Sequence, residues 1–158
     1  MHHCIQRALA LVAMSVLLLA GCGGEKAKPP LSKAKYEQRM TPIASELAGA
    51  TTGASAALGG PSLSAAGATI DQQARRLERT TRELEAISPP KNVKVEHRAF
   101  TDAVRALAAA LRGTAIAART GDPTSLQASG DFEAPAENAR QAAEKIAAKG
   151  YNVPGLGG

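Results

Sequence analysis

The sequence predicts an all-α fold, an antiparallel up-down four-helix bundle with left-handed, shallow crossings. Three observations predict it. Apolar residues recur at steps of three and four in four separate segments. Clusters of Gly and Pro fall between those segments, at Gly59-Gly60-Pro61, Pro89-Pro90 and Gly121. No stretch alternates at period two with β-branched residues, so no sheet is expected. Short connections between amphipathic helices bring neighbours together antiparallel. A spacing near 3.5 residues gives the left-handed sense. The alternative arrangement is a three-helix core with the first helix loosely attached.

Helix one is predicted to begin near Ser32, whose hydroxyl can cap it. Its stripe runs Tyr36, Met40, Ile43, Leu47, Ala50, Ala54 and Leu58, and Pro42 predicts a kink. Helix two starts near Ser62 or Ser64 and extends to about Ile87, on the stripe Ile70, Ala74, Leu77, Thr81 and Leu84. Pro89-Pro90 ends it, because a residue before proline avoids the helical region. Helix three covers about Asn92 to Thr120, through Val93, His97, Phe100, Val104, Leu107, Leu111 and Ala118. This is the longest regular pattern in the chain. Helix four is expected to open at Asp122-Pro123, with Leu126, Phe132, Ala136, Ala139, Ala143 and Ile146 inward. Gly130 and Pro135 should split it, and Gly150 should close it. The bundle is thus placed at residues 36–150, and residues 151–158 form a glycine-rich tail.

Ahead of the bundle the chain is organised differently. Arg7 precedes an apolar run from Ala8 to Ala20, interrupted only by Ser15. A spanning helix needs roughly 20 apolar residues, and Gly21, Cys22, Gly23, Gly24 and Glu25 stop this run too early. The layered order is that of a signal peptide. Its end, Leu19-Ala20-Gly21-Cys22, resembles the lipobox of bacterial lipoproteins. Small residues there let a protease reach the backbone. The resemblance, which covers residues 1–22, implies cleavage between Gly21 and Cys22 and a diacylglyceryl thioether on Cys22. It also implies a further acyl group, such as palmitate, on the new amine. Two chains hold far more firmly than one, at about 0.8 kcal/mol per buried methylene. Residues 22–35 then read as the lipidated cysteine and a Gly/Pro/Lys linker, able to lift the bundle about 40 Å when fully stretched.

Composition limits the chemistry. The chain holds two cysteines, Cys4 and Cys22, and processing would discard the first and block the second. No thiol is then left for a disulfide, a zinc site or a nucleophile. The sequence is 44% hydrophobic but only 3% aromatic, so alanine supplies most of the apolar surface and an aromatic ligand cage is hard to build. A net charge of +5, lowered by one when Arg7 is removed, favours anionic surfaces. Nucleic acid is a poor fit for an exported chain with few stacking side chains.

Two features merit a functional reading. His97 is the only histidine beyond residue 3 and lies on the apolar seam of helix three. It has no Glu-x-x-His or His-x-x-x-His partner for a metal, and no Cys-x-x-Cys-His for haem, so no metal or cofactor is expected. A packing histidine with bonded nitrogens is the simpler reading, and a ligand or proton-sensing role is the sharper one. Arg98, Arg105, Arg112 and Arg119 recur every seven residues, with no acid on this helix between Asp102 and Asp122. They form a stripe for an anionic surface, or else pair with Glu78, Glu83 and Glu85 of helix two or Glu133, Glu137 and Glu144 of helix four. No acid/base pair, phosphate loop or Gly-x-Ser-x-Gly elbow appears, so an enzyme is not expected. Ile87-Ser88-Pro89-Pro90, followed by His97 and an apolar heptad, resembles the middle of small uncharacterised helical lipoproteins of high-GC bacteria, over residues 77–111. That group implies no particular activity. The expectation is a membrane-anchored envelope lipoprotein that binds or organises a protein or anionic polymer. The alternative is a carrier or sensor holding a small ligand between helices.

Overall fold

The computed structural model describes residues 28–60, 62–121 and 132–156. Among them are four α-helices and no strand: α1 (Lys33–Leu58), α2 (Leu63–Glu85), α3 (Lys94–Thr120) and α4 (Glu133–Ala148). A 3₁₀ turn, Lys91–Val93, leads into α3. Ser32 caps α1, its Oγ accepting from the Lys35 amide at 3.5 Å, and Ser62 caps α2 through the Ala65 amide at 3.4 Å. Gly121 ends α3 at φ 67°, a left-handed conformation that a side chain would strain. Helix α1 continues across Pro42 rather than stopping there.

Successive helices are antiparallel. Glu46 of α1 meets Arg76 of α2, Glu78 of α2 meets Arg112 of α3, and Glu96 of α3 meets Lys149 just after α4. Tyr36 and Tyr151 meet edge to face, with ring centroids 5.3 Å apart, so the segment that follows α4 packs against the start of α1. The result is the expected up-down bundle. One end carries Ser88 and the start of α1; the other carries Gly59 and the end of α3.

The core differs between these ends. Toward Ser88 it holds Tyr36, Met40, Leu84, Phe100, Val104 and Ile146. Toward Gly59 alanines dominate, with Ile70, Leu77, Leu107 and Leu111 among them, and Leu47 touches both parts. Small residues let α2 and α3 run close. A Cβ built on Gly67 would lie 2.9 Å from the Ala115 carbonyl oxygen. The seam position Thr81 is buried because its hydroxyl donates to the Leu77 carbonyl at 2.8 Å within the same helix.

Both edges of the bundle depart from expectation. The end of the linker is docked: the Leu31 amide donates to the Ser88 carbonyl at 2.9 Å, and the Ser88 hydroxyl donates to the Lys28 carbonyl at 2.9 Å. The packed unit also runs past Gly150, since Tyr151, Val153 and Leu156 are buried on the larger core cluster. Pro135 sits in the first turn of α4, where its missing amide has no helical partner to lose, and so does not split the described helix. Ala136 is exposed; Ala139, Ala142, Ala143 and Ile146 form the inward face instead. The predicted opening at Asp122-Pro123, with Leu126 and Gly130, lies outside the described residues, as do Gly21 and Cys22.

Candidate functional site

A buried polar cluster lies inside the Ser88 end, around His97. Helix α3 turns His97 inward on the same face as Phe100 and Val104, and the ring is buried. Its Nε2 lies 3.1 Å from the Leu84 carbonyl, in the last turn of α2. A carbonyl only accepts, so Nε2 carries the hydrogen. The other nitrogen, Nδ1, is then the acceptor, and the Tyr36 hydroxyl of α1 donates to it at 3.1 Å. One imidazole therefore ties three helices together, and neither ring nitrogen is left for a ligand.

Burial sets the protonation of both partners. It holds the His97 pKa below the usual imidazole value, although the Leu84 carbonyl opposes the shift. It raises the Tyr36 pKa, and Tyr151 and Glu96 push it the same way. Both groups are thus neutral near pH 7. The fourth helix joins through its C-terminal extension. Tyr151 donates to Asn92 Oδ1 at 2.8 Å, and Lys149 reaches Glu96 at 2.8 Å and the Asn92 carbonyl at 2.5 Å. The Lys149 hydrogen bond keeps the Glu96 carboxyl below its ordinary pKa. The Asn152 amide donates to Glu37 Oε1 of α1 at 2.7 Å.

The arginine stripe is mostly engaged. Arg105 bonds Glu85 at 2.6 Å and Asp102 at 2.5 Å, Arg112 bonds Glu78, and Arg119 lies 4.0 Å from Asp71. Asp71, Glu78 and Glu85 are themselves seven residues apart, so an acidic ladder on α2 faces the basic one on α3. Arg75 adds a second cation to Asp71, at 3.0 Å, and this hydrogen bond leads the lowering of its pKa. Arg98 is the rung without a counterpart, because α2 has ended at Glu85. It has no ion pair among the described residues and lies exposed near the start of α3.

Beside Arg98 is an open groove of about 530 Å³. Leu84, Ile87, Pro89 and Val95 supply its apolar lining, the His97 ring borders it, and its charged rim mixes Lys94, Arg98 and Arg105 with Glu85 and Asp102. Among the described residues no three His, Cys, Asp or Glu side chains converge in a way that could hold a metal, and no helix is long and apolar enough to cross a membrane.

His97 on the apolar seam was legible from spacing alone. Its partner Tyr36 was not singled out, though a tyrosine opening the first stripe and a histidine opening the third share one end of an up-down bundle. Asp71 was missed as well, and the seven-residue spacing of Asp71, Glu78 and Glu85 is the signal that marks it. Compared with known proteins, the chain matches no family model, no curated protein and no solved structure.

Proposed function

We propose that the chain is a bacterial cell-envelope lipoprotein, anchored through lipid on Cys22, whose bundle is a binding or structural module for an envelope protein or polymer. One observation carries this reading: an apolar run of signal-peptide length ends in Leu19-Ala20-Gly21-Cys22. The thiol is the nucleophile that lipid transfer requires, and two small residues precede it. The organisation of the remaining chain supports the module role. Its polar groups are spent on holding helices together: His97 on Tyr36 and Leu84, and three stripe arginines on α2 carboxylates. The carrier reading asks His97 to offer a ring nitrogen to a ligand, and both nitrogens are already bonded.

Growth of producing cells with a clickable palmitate analogue tests the anchor. The protein is expected to become labelled and to sediment with membranes. Cys22→Ala should remove the label and leave the uncleaved, larger form. Continued labelling of Cys22→Ala would overturn the reading.

A further inference from the structure

We infer that the Ser88 end of the bundle lies against the bilayer, where Lys91, Lys94 and Arg98 meet anionic lipid head groups and Val95 enters the interface. The inference rests on the lipid anchor at Cys22.

Reach limits how the bundle can stand on the bilayer. Lys28 is fixed to the Ser88 turn by the Ser88 hydroxyl bond to its carbonyl. Six peptide steps separate Cys22 from Lys28, and fully extended chain covers about 20 Å over that length. Helix α3 has 27 residues, so the bundle is about 40 Å long at 1.5 Å per residue. The anchor therefore cannot let the bundle stand inverted, with its Gly59 end on the lipid and Lys28 at the top.

Charge is distributed unevenly between the two ends. Between Leu47 and Ile70 the sequence has no charged residue at all, and this stretch makes the Gly59 end of α1 and α2. Cations without an ion pair among the described residues gather at the other end. Lys28, Lys91, Lys94 and Arg98 are all exposed there. The acids nearest to this group are already committed: Glu96 to Lys149, and Glu85 and Asp102 to Arg105. Glu83 of α2 is the exposed carboxylate at this end with no ion pair among the described residues.

An exposed apolar side chain stands among these cations. Lys91, Lys94, Val95 and Arg98 are spaced three, four and seven residues from the first, which puts them on one side of the chain as it enters α3. Val95 is 76% exposed, the most exposed large apolar side chain described. It stands beside the groove lined by Ile87 and Pro89. Cations around an exposed apolar residue match an anionic interface, where charge meets head groups and the apolar group sits at the acyl boundary.

The test uses the full protein as purified from producer-cell membranes, in phosphatidylcholine vesicles with or without phosphatidylglycerol. A fluorophore is placed at Val95→Cys or, as a control, at Leu58→Cys at the opposite end. A nitroxide on the lipid head groups reports proximity. With phosphatidylglycerol present, the Val95 site should be quenched and the Leu58 site should not. Lys94→Glu with Arg98→Glu should abolish that quenching while flotation persists, and so should high salt. Protein that floats with both sites equally unquenched would overturn the end-on contact and leave the anchor intact. Protein that fails to float with neutral vesicles, yet binds phosphatidylglycerol with its Val95 site quenched, would support the contact and overturn the anchor.

Discussion

Tyr36 and His97 show how single residues set the behaviour of this bundle. Tyr36→Phe keeps the ring but leaves Nδ1 of a buried imidazole without a donor. The expected loss is about 1–3 kcal/mol, read from urea unfolding. The pH dependence follows from the directions of the shifts. The folded His97 pKa lies below its ordinary 6.5, so the unfolded chain binds more protons as pH falls. The contribution of His97 is complete above 6.5 and is lost as pH drops from there through the folded value. Tyr36 is shifted upward from 10.0, so the folded chain holds its proton longer, and that contribution fades as pH rises above 10.0. Unfolding midpoints against pH should thus fall on both sides, and Tyr36→Phe should remove the alkaline loss. Glycines offer a paired test. A Cβ on Gly67 would sit 2.7 Å from Arg119 Cγ and 2.9 Å from a backbone oxygen, so Gly67→Ala should destabilise by about 1–3 kcal/mol. On the exposed side of α1, the nearest atom to a Cβ on Gly49 is 3.9 Å away. Gly49→Ala should stabilise by about 0.5–1 kcal/mol.

Among the elements, α2 and α3 are matched by charge as well as by shape. The rungs Asp71–Arg119, Glu78–Arg112 and Glu85–Arg105 coincide only in one antiparallel register. The Glu85–Arg105 rung is half-exposed and the other two are partly buried, so each contributes modest stability, and their role is to disfavour other registers. A double-mutant cycle on Glu78→Gln and Arg112→Gln should return about 0.2–1 kcal/mol, shrinking in high salt. The helices were legible because apolar spacing and punctuation agreed. Ser32, Ser62 and Gly121 bound them as their capping chemistry dictates. The fourth helix was the least legible. Its alanines give a weak contrast between faces, so Ala136 was assigned inward where Ala142 is buried instead. The buried extension was also hidden, because Tyr151, Val153 and Leu156 alternate with Asn, Pro and Gly and carry no helical period. Only the surface they cover explains them.

The whole molecule is polarised from end to end, in core and in charge. Bulky side chains and a polar network fill the Ser88 end, and alanines line much of the Gly59 end. Larger side chains bury more apolar area, at roughly 25 cal/mol per Å². Amide exchange should therefore be slowest in α3 around Phe100 and faster in the second half of α1, around Ala54. Uniform protection along both helices would contradict this gradient. The docked Lys28 also decides which end of the bundle the proposed anchor at Cys22 would hold close to the lipid. Intact-mass measurement of the protein extracted from producer-cell membranes decides whether Cys22 carries lipid. The expected chain starts at Cys22 and is heavier by a diacylglyceryl group, with or without one further acyl chain. A chain with another first residue, or with an unmodified Cys22, would contradict it.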